Sequence, residues 1–302
     1  MTTSEVSARE YSAIFGPMFS HVYNSVAFAE FNSAKADAIR YLSIVDNKPR
    51  CGIIFGERQG RLISGFSAPF GGFDFVKKLT TEALIEAVGS LTGFLKGMEA
   101  TIILPPEFFD ASHNAMLRYA FICAGWRDEA LVNNHFDLTR GPYESIIHGS
   151  ANNRLHKSEK SGAIFESVSL ERAYKVIAEN RKMRGYPLAM SLDEVIATAP
   201  QTKTRGYVVS LDGADIASAL INDVSDDISQ IVYWGDNGLH AEAQGMRLLA
   251  ARLYELYRKE GRRCLDIGPS GTWGEISPML SSFKELVGAS TTLKHRFTLS
   301  QS

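Results

Sequence analysis

No stretch of this 302-residue sequence approaches the roughly 18 consecutive apolar residues that a membrane-spanning helix requires. The N-terminus, MTTSEVSARE, is polar and lacks the cationic and apolar regions of a signal peptide. Cysteine is scarce: Cys51, Cys123 and Cys264 are odd in number, far apart and set in apolar runs. That usage excludes a disulfide scaffold and reads as reduced core thiols in a cytoplasmic protein. No Cys/His spacing suggests a metal site, so none is expected. Neither sign of charge dominates, with 32 Lys and Arg against 34 Asp and Glu. Balance of this kind argues against a broad electrostatic grip on DNA or an anionic membrane, and leaves room for a local contact with an RNA end. A phosphate-binding P-loop and a trustworthy Ser-His-Asp order are also missing.

What is present is enough apolar residue, 45%, to build two cores in a chain of two-domain length. In the first half, residues 40–46 and 50–57 read as a hairpin turned by Asn47, Lys48 and Pro49, and 61–67 as a third strand. A Pro/Gly-rich loop, SAPFGG, follows. Residues 79–98 then repeat apolar groups at Leu84, Ala87, Val88, Leu91 and Leu95, one face of a helix. Residues 101–104 form a short strand stopped by Pro105 and Pro106, 112–124 a helix ended by Gly125, and 130–138 a closing strand.

The second half repeats this order. After helices near 170–183 and 191–199, strands at 205–211 and 214–222 flank the hairpin turn Asp212-Gly213. A strand at 228–235, a loop, a helix at 244–260, a strand at 263–267, a helix ending at Gly288 and a last strand at 291–299 complete it. Offsets of 163–166 residues separate Asp46 from Asp212, Pro105 from Gly268 and Gly125 from Gly288. The expectation is a tandem duplication of one mixed α/β fold joined by a linker near 139–169. In each copy the crossover helix makes the strand after it parallel to the strand before it, and ligand-binding crevices form where such strands end. In the second copy that places the crevice between Val232–Gly235 and Leu265–Gly268.

Several residues lie along this expected crevice. Tyr233 and Trp234 alternate on their strand, so one faces the core and the other the crevice. Asp266 ends an otherwise apolar strand and must be solvated, hydrogen-bonded to the following turn, or functional as a proton acceptor or orienter of an amine. His240 and Ser270 sit on the two loops above, and Lys284 on the next helix suits a phosphate or carboxylate. Arg154, His156, Lys157 and Lys160 form a basic cluster opposed only by Glu159, suited to phosphates or to solvent. Phe70, Gly71 and Gly72 would allow a ligand to approach the backbone closely. The segment HAEAQGMR at the crossover helix keeps Gly245 but not the glycine spacing of an acetyl-CoA pyrophosphate loop, and adds Glu242, so acetyl-CoA is disfavoured.

The string Tyr233-Trp234-Gly235, Gly261, Asp266-x-Gly268 and Phe283-Lys284 to Gly288 resembles the second domain of the Fem-type peptidyl and aminoacyl transferases. SAPFGG resembles that family's Pro/aromatic-Gly-Gly loop. NRLHKSEKSG, residues 153–162, resembles its basic interdomain segment: Lys157, Glu159, Lys160 and Gly162 match, while Asn152 and Asn153 stand where the family usually has arginines. The resemblance implies an α/β tandem GNAT-like acyltransferase fold, with domains 1–148 and 149–302 and a basic linker at 152–162. It implies transfer of an acyl or aminoacyl group to an amine, with an aminoacyl-tRNA or acyl-CoA-type donor and a small-molecule, peptide or nucleotide-linked acceptor, in envelope or polysaccharide metabolism. Asp266 and Tyr233 are the catalytic candidates. Trp234, His240, Ser270, Lys284, Phe70, Gly71, Gly72, Arg154 and Lys157 are the substrate-binding ones. The competing expectation is a non-catalytic binding or scaffold protein that kept the duplicated fold.

Overall fold

The computed structural model describes residues 1–147 and 149–300, and the chain divides into two compact units. The first contains Met1–Val132, Thr272–Glu275 and Thr292–Ser302; the second contains Asn133–Gly271 and Ile276–Thr291. Each unit therefore includes a strand from the other half of the sequence.

The first unit opens with three elements not foreseen from the sequence: β1 (Thr2–Val6), α1 (Ala8–Phe15) and α2 (Val26–Phe31). Helix α1 starts at a capping box in which Ser7 and Glu10 satisfy each other's backbone N–H groups. The expected hairpin follows as β2 (Ala38–Val45) and β3 (Pro49–Arg58), then β4 (Arg61–Ser64) and a short β5 (Phe73–Phe75) that pairs with β3. Thr80 caps α3 (Thr81–Phe94), which buries Leu84, Ala87, Val88 and Leu91, the face read from their spacing. Next come β6 (Glu99–Ile103), α4 (Ala111–Cys123) and β7 (Arg127–Asp137). The sheet order is β1-β2-β3-β4-β6, then the last strand of the chain, β15 (Ser290–Leu299), then the first half of β7. β4 and β6 run parallel, whereas β1 with β2, β2 with β3, β3 with β4 and β5, and β6 with β15 run antiparallel. Cys51 is buried as expected, but Cys123 is exposed: it falls on the outer side of α4, away from the inward face of Leu117, Ala120 and Phe121.

In the second unit α5 (Tyr143–Ile146) and α6 (Ser150–Glu159) fill much of the expected linker, and β8 (Ile164–Val168) adds an unforeseen edge strand. Then follow α7 (Leu170–Arg184), α8 (Leu192–Thr202), β9 (Arg205–Leu211), β10 (Ala214–Asp223), β11 (Ile228–Asp236), α9 (Gly245–Lys259) and β12 (Cys264–Pro269). A two-residue ladder, β13 (Gly271–Thr272) and β14 (Glu275–Ile276), precedes α10 (Pro278–Leu286). Asp212 and Gly213 both have positive φ, the geometry that makes Asp-Gly a tight hairpin turn. The sheet order is β8-β9-β10-β11-β12, then the second half of β7; β11 and β12 are parallel. Leu249, Leu253, Tyr254 and Tyr257 of α9 are fully buried, and the tyrosines occupy the core more deeply than Met246 or Leu256. No helix among the described residues is long and apolar enough to cross a membrane.

Candidate functional site

In the second unit, β11 and β12 pair only from Ile228–Gln230 to Cys264–Asp266 and then diverge, at the crevice position expected of this topology. Asp266 sits at the point of divergence and is 1% exposed. Its carboxylate accepts from Asn133 Nδ2 at 2.8 Å, Gln230 Nε2 at 2.6 Å and the Gly268 N–H at 2.9 Å. The Gly268 bond makes Asp266 the cap of its own following turn. Across the sheet, Asp266 is in register with Gln230 on one side and His135 on the other. It therefore meets β11 three residues short of Tyr233. Burial lowers the His135 pKa, with nearby Asp266 and Asp137 opposing, so the imidazole is held towards its neutral form.

The same turn is gripped from its other side by Lys284. This lysine is 1% exposed, and its ammonium donates to Gly268 O and Pro269 O, both at 2.7 Å. Ser270 is fully buried and donates to Asn134 Oδ1; Asn134 in turn donates to Thr291 Oγ1 at 3.2 Å. A carboxylate, an ammonium and a hydroxyl, all withdrawn from water, thus fix residues 268–270. Such groups are tolerated inside only when bonded, and together they leave this turn little freedom.

Tyr233 and Trp234 divide between the two sheet faces. Tyr233 packs with Ala173, Ile177, Val195 and Leu220, and its hydroxyl accepts from the Met190 N–H at 3.1 Å. Burial raises its pKa. Trp234 lies half-buried on the α9 and α10 side, its ring edge-on to Phe283 at 5.6 Å. His240 is half-buried, with Nδ1 3.6 Å from Glu242 Oε1.

The start of α9 carries no side-chain cap, and Gln244 enters it with positive φ. Arg247 in its first turn is only 8% exposed, and its Nε donates to Gln244 Oε1 at 3.2 Å. Burial and the neighbouring Arg154 guanidinium lower its pKa. Neither Arg247 nor Arg154 has an acidic partner among the described residues. Arg247 is held at a positive helix end with the exposed Arg154 beside it, and with no acidic partner for either the place favours a phosphate or carboxylate. Arg247 was missed in the sequence because it stood inside a helix start read only for glycine spacing; Arg154 and the exposed Lys157 were read.

Phe70, Gly71 and Gly72 belong to the first unit. Phe70 is 1% exposed and edge-on to His21, Tyr23 and Phe109. Gly71 N–H donates to Ile103 O at 2.8 Å, so this loop closes the gap where β4 and β6 would otherwise part. A Cβ at Gly71 would stand 2.2 Å from Gly65 N, so the close approach the glycine permits is to its own chain.

No protein-family model and no curated protein matches this chain. Solved structures do. FemX superposes with a TM-score of 0.71 at 12% identity, covering 99% of this chain and 97% of that one. The C-terminal domain of a protein described as a lysylphosphatidylglycerol synthetase, from Agrobacterium fabrum, gives 0.59 at 12%, covering 97% and 93%. L-PGS from Bacillus licheniformis gives 0.58 at 13%, covering 97% and 92%. At these identities the likeness establishes the fold alone: the chain folds as FemX does, the Fem-like architecture that its motifs suggested.

Proposed function

We propose that this protein transfers an acyl or aminoacyl group from a phosphate-bearing donor to an amine acceptor. The observation that carries the reading is the pair of guanidiniums near the start of the crossover helix α9, Arg247 and Arg154, that have no acidic partner among the described residues. In the acetyl-CoA enzymes of this fold, backbone N–H groups of a glycine loop hold a pyrophosphate at the corresponding helix. Here the loop lacks that spacing and side-chain cations stand instead. This supports an aminoacyl-tRNA end, with its nucleotide phosphates, over acetyl-CoA. An acyl-CoA-type donor remains a weaker fit.

In the reaction, the amine nitrogen bonds to the acyl carbon of an ester or thioester. The bond to the leaving oxygen or sulfur then breaks, and the amine proton passes to the departing group. Such aminolysis gains most from positioning and from donors aimed at the developing oxyanion. Asp266, saturated by three donors, serves the turn at 268–270 as a positioning residue. His240, half-buried beside Glu242 on the loop after β11, is the group we assign to take a proton. Trp234 offers an aromatic wall with Phe283. The acceptor is read, from the Fem resemblance, as a peptide or nucleotide-linked amine, and the setting as cytoplasmic.

A second reading, a non-catalytic ligand-binding protein, is favoured by the saturation of Asp266 and by the Met190 bond of the Tyr233 hydroxyl. Stabilisation against heat by aminoacyl-tRNA analogues, acyl-CoAs and nucleotide sugars, followed by product analysis with any that bind, separates the two. Binding with transfer supports the enzyme. Binding without transfer supports the second reading, and no binding by any donor removes the first.

Setting aside the short β5 and the two-residue strands β13 and β14, the order strand, strand, strand, helix, strand, helix, strand recurs in β2–β7 and in β9–β15, which supports a tandem duplication. Superposition of 40–138 on 205–298 with unlike strand connections would count against it.

A further inference from the structure

The last turn of α7 and the loop after β11 form one surface of the second unit. Asn180 Nδ2 donates to Asp236 O at 2.6 Å, and a Cβ built on Gly238 would stand 3.2 Å from Met183 Sδ. Gly185 ends α7 in the left-handed conformation and turns Tyr186 off the helix. Three large apolar side chains then project outward: Met183 is 52% exposed, Tyr186 57% and Leu239 53%. Single exposed apolar residues need no explanation, but three on adjoining segments mark an interaction surface.

Cations surround them. Arg181, Lys182 and Arg184 all lie in the same helical turn, and Lys182 has no partner among the described residues. Two acids, Glu179 and Asp236, lie nearby, so the three cations outnumber them by one. Glu179 Oε2 accepts from Asn237 Nδ2 at 2.8 Å, Asp236 Oδ1 accepts from the Gly238 N–H at 3.2 Å, and Arg184 stands 3.9 Å from Asp236 Oδ2.

We propose that this patch docks the protein on an anionic phospholipid surface. Met183 and Leu239 would enter the acyl boundary, Tyr186 would sit at the interface, and Lys182 and Arg184 would reach the headgroups. Single-stranded nucleic acid is the weaker fit, because base stacking needs aromatic faces and two of the three apolar side chains are aliphatic. With no net positive charge on the whole chain, the attraction is local to this patch. The proposal concerns where the protein sits and stands independently of the transfer reaction.

The test is co-sedimentation of the full chain with vesicles of phosphatidylcholine alone or mixed with phosphatidylglycerol. The wild type should sediment only with the anionic vesicles, and less in high salt. Neutralising two cations in K182Q/R184Q should weaken binding about 30-fold. M183S/L239S should weaken it about tenfold or more at unchanged salt dependence. Thermal melts confirm that these exposed substitutions leave the fold intact. Absence of wild-type binding to anionic vesicles, or binding unchanged in both variants, overturns the proposal. So does preferential binding of a single-stranded RNA oligonucleotide that K182Q/R184Q loses and M183S/L239S keeps.

Discussion

Replacing Asp266 by Asn nearly preserves its volume and removes its charge, which separates a positioning carboxylate from one that meets substrate. The native carboxylate accepts from two side-chain amides and one backbone N–H. A charge-assisted hydrogen bond contributes about 1 kcal/mol more than a neutral one, so losing the charge costs about 3 kcal/mol over three bonds. The asparagine N–H2 must also face at least one former donor, although Gln230 can turn its amide to present oxygen. Against this, a neutral side chain escapes part of the penalty of burying a charge. The net expectation is a loss of about 2 kcal/mol, or a fall in Tm of about 3 °C for a chain of this size. Parallel melts of wild type and Asp266→Asn measure it. An unchanged Tm together with lost ligand binding would place Asp266 in contact with substrate and refute the positioning argument.

Three further outcomes follow from the geometry. Lys284→Met leaves Gly268 O buried without its donor, and the partly exposed Pro269 O to water, and should cost about 1–3 kcal/mol by urea denaturation; a lysine that chiefly held substrate would change affinity and leave stability alone. In the first unit, burial pushes the Asp74 carboxyl up to about 6 and the His21 imidazole down to about 4. Asp74, raised, contributes stability at low pH that is lost as pH rises through 6, whereas His21, lowered, contributes stability at higher pH that is lost as pH falls through 4. The two slopes oppose between pH 4 and 6, so Asp74→Asn should unmask the histidine. The variant should lose about 1.4 kcal/mol more per unit of acidification than wild type across that window, and equal slopes in pH-dependent denaturation would contradict this. Finally, a fragment of residues 1–148 lacks Thr292–Leu299, the strand that pairs with β6 through Arg296–Ile103, and should show no cooperative melt; a sharp one would show the fragment to be autonomous.

The repeating elements were legible because their signals are local. Asp212-Gly213 fixes a hairpin, Leu84, Ala87, Val88 and Leu91 mark a helix face, and the crossover places β11 beside β12. The N-terminal helices and β8 were missed because they are short: α1 and α2 span only 8 and 6 residues, and β8 is a five-residue edge strand that buries no residue fully and is held by its pairing with β9 and by Phe165 stacked on Tyr207. The partners of Asp266 and Lys284 were also out of reach. Asn133 lies 133 residues from Asp266 in sequence, and only the register of β7 against β12 brings the two together. Tyr233 and Trp234 were rightly read as opposite-facing, yet a bulge in the pairing of β10 with β11 shifts which neighbours each side chain meets. Nothing in the spacing of HAEAQGMR announced that Arg247 turns inward.

The most direct measurement of the central claim is thermal stabilisation of the full chain by a short RNA mimicking an aminoacylated acceptor end, compared in wild type and Arg247→Met, with acetyl-CoA alongside. A ligand at about 100 times its Kd stabilises the folded state by about 2.7 kcal/mol. The account predicts that the RNA raises the wild-type Tm by several degrees, that Arg247→Met abolishes the shift while keeping its own Tm in the absence of ligand, and that acetyl-CoA gives little. Equal shifts in both proteins, or stabilisation by acetyl-CoA alone, would contradict it.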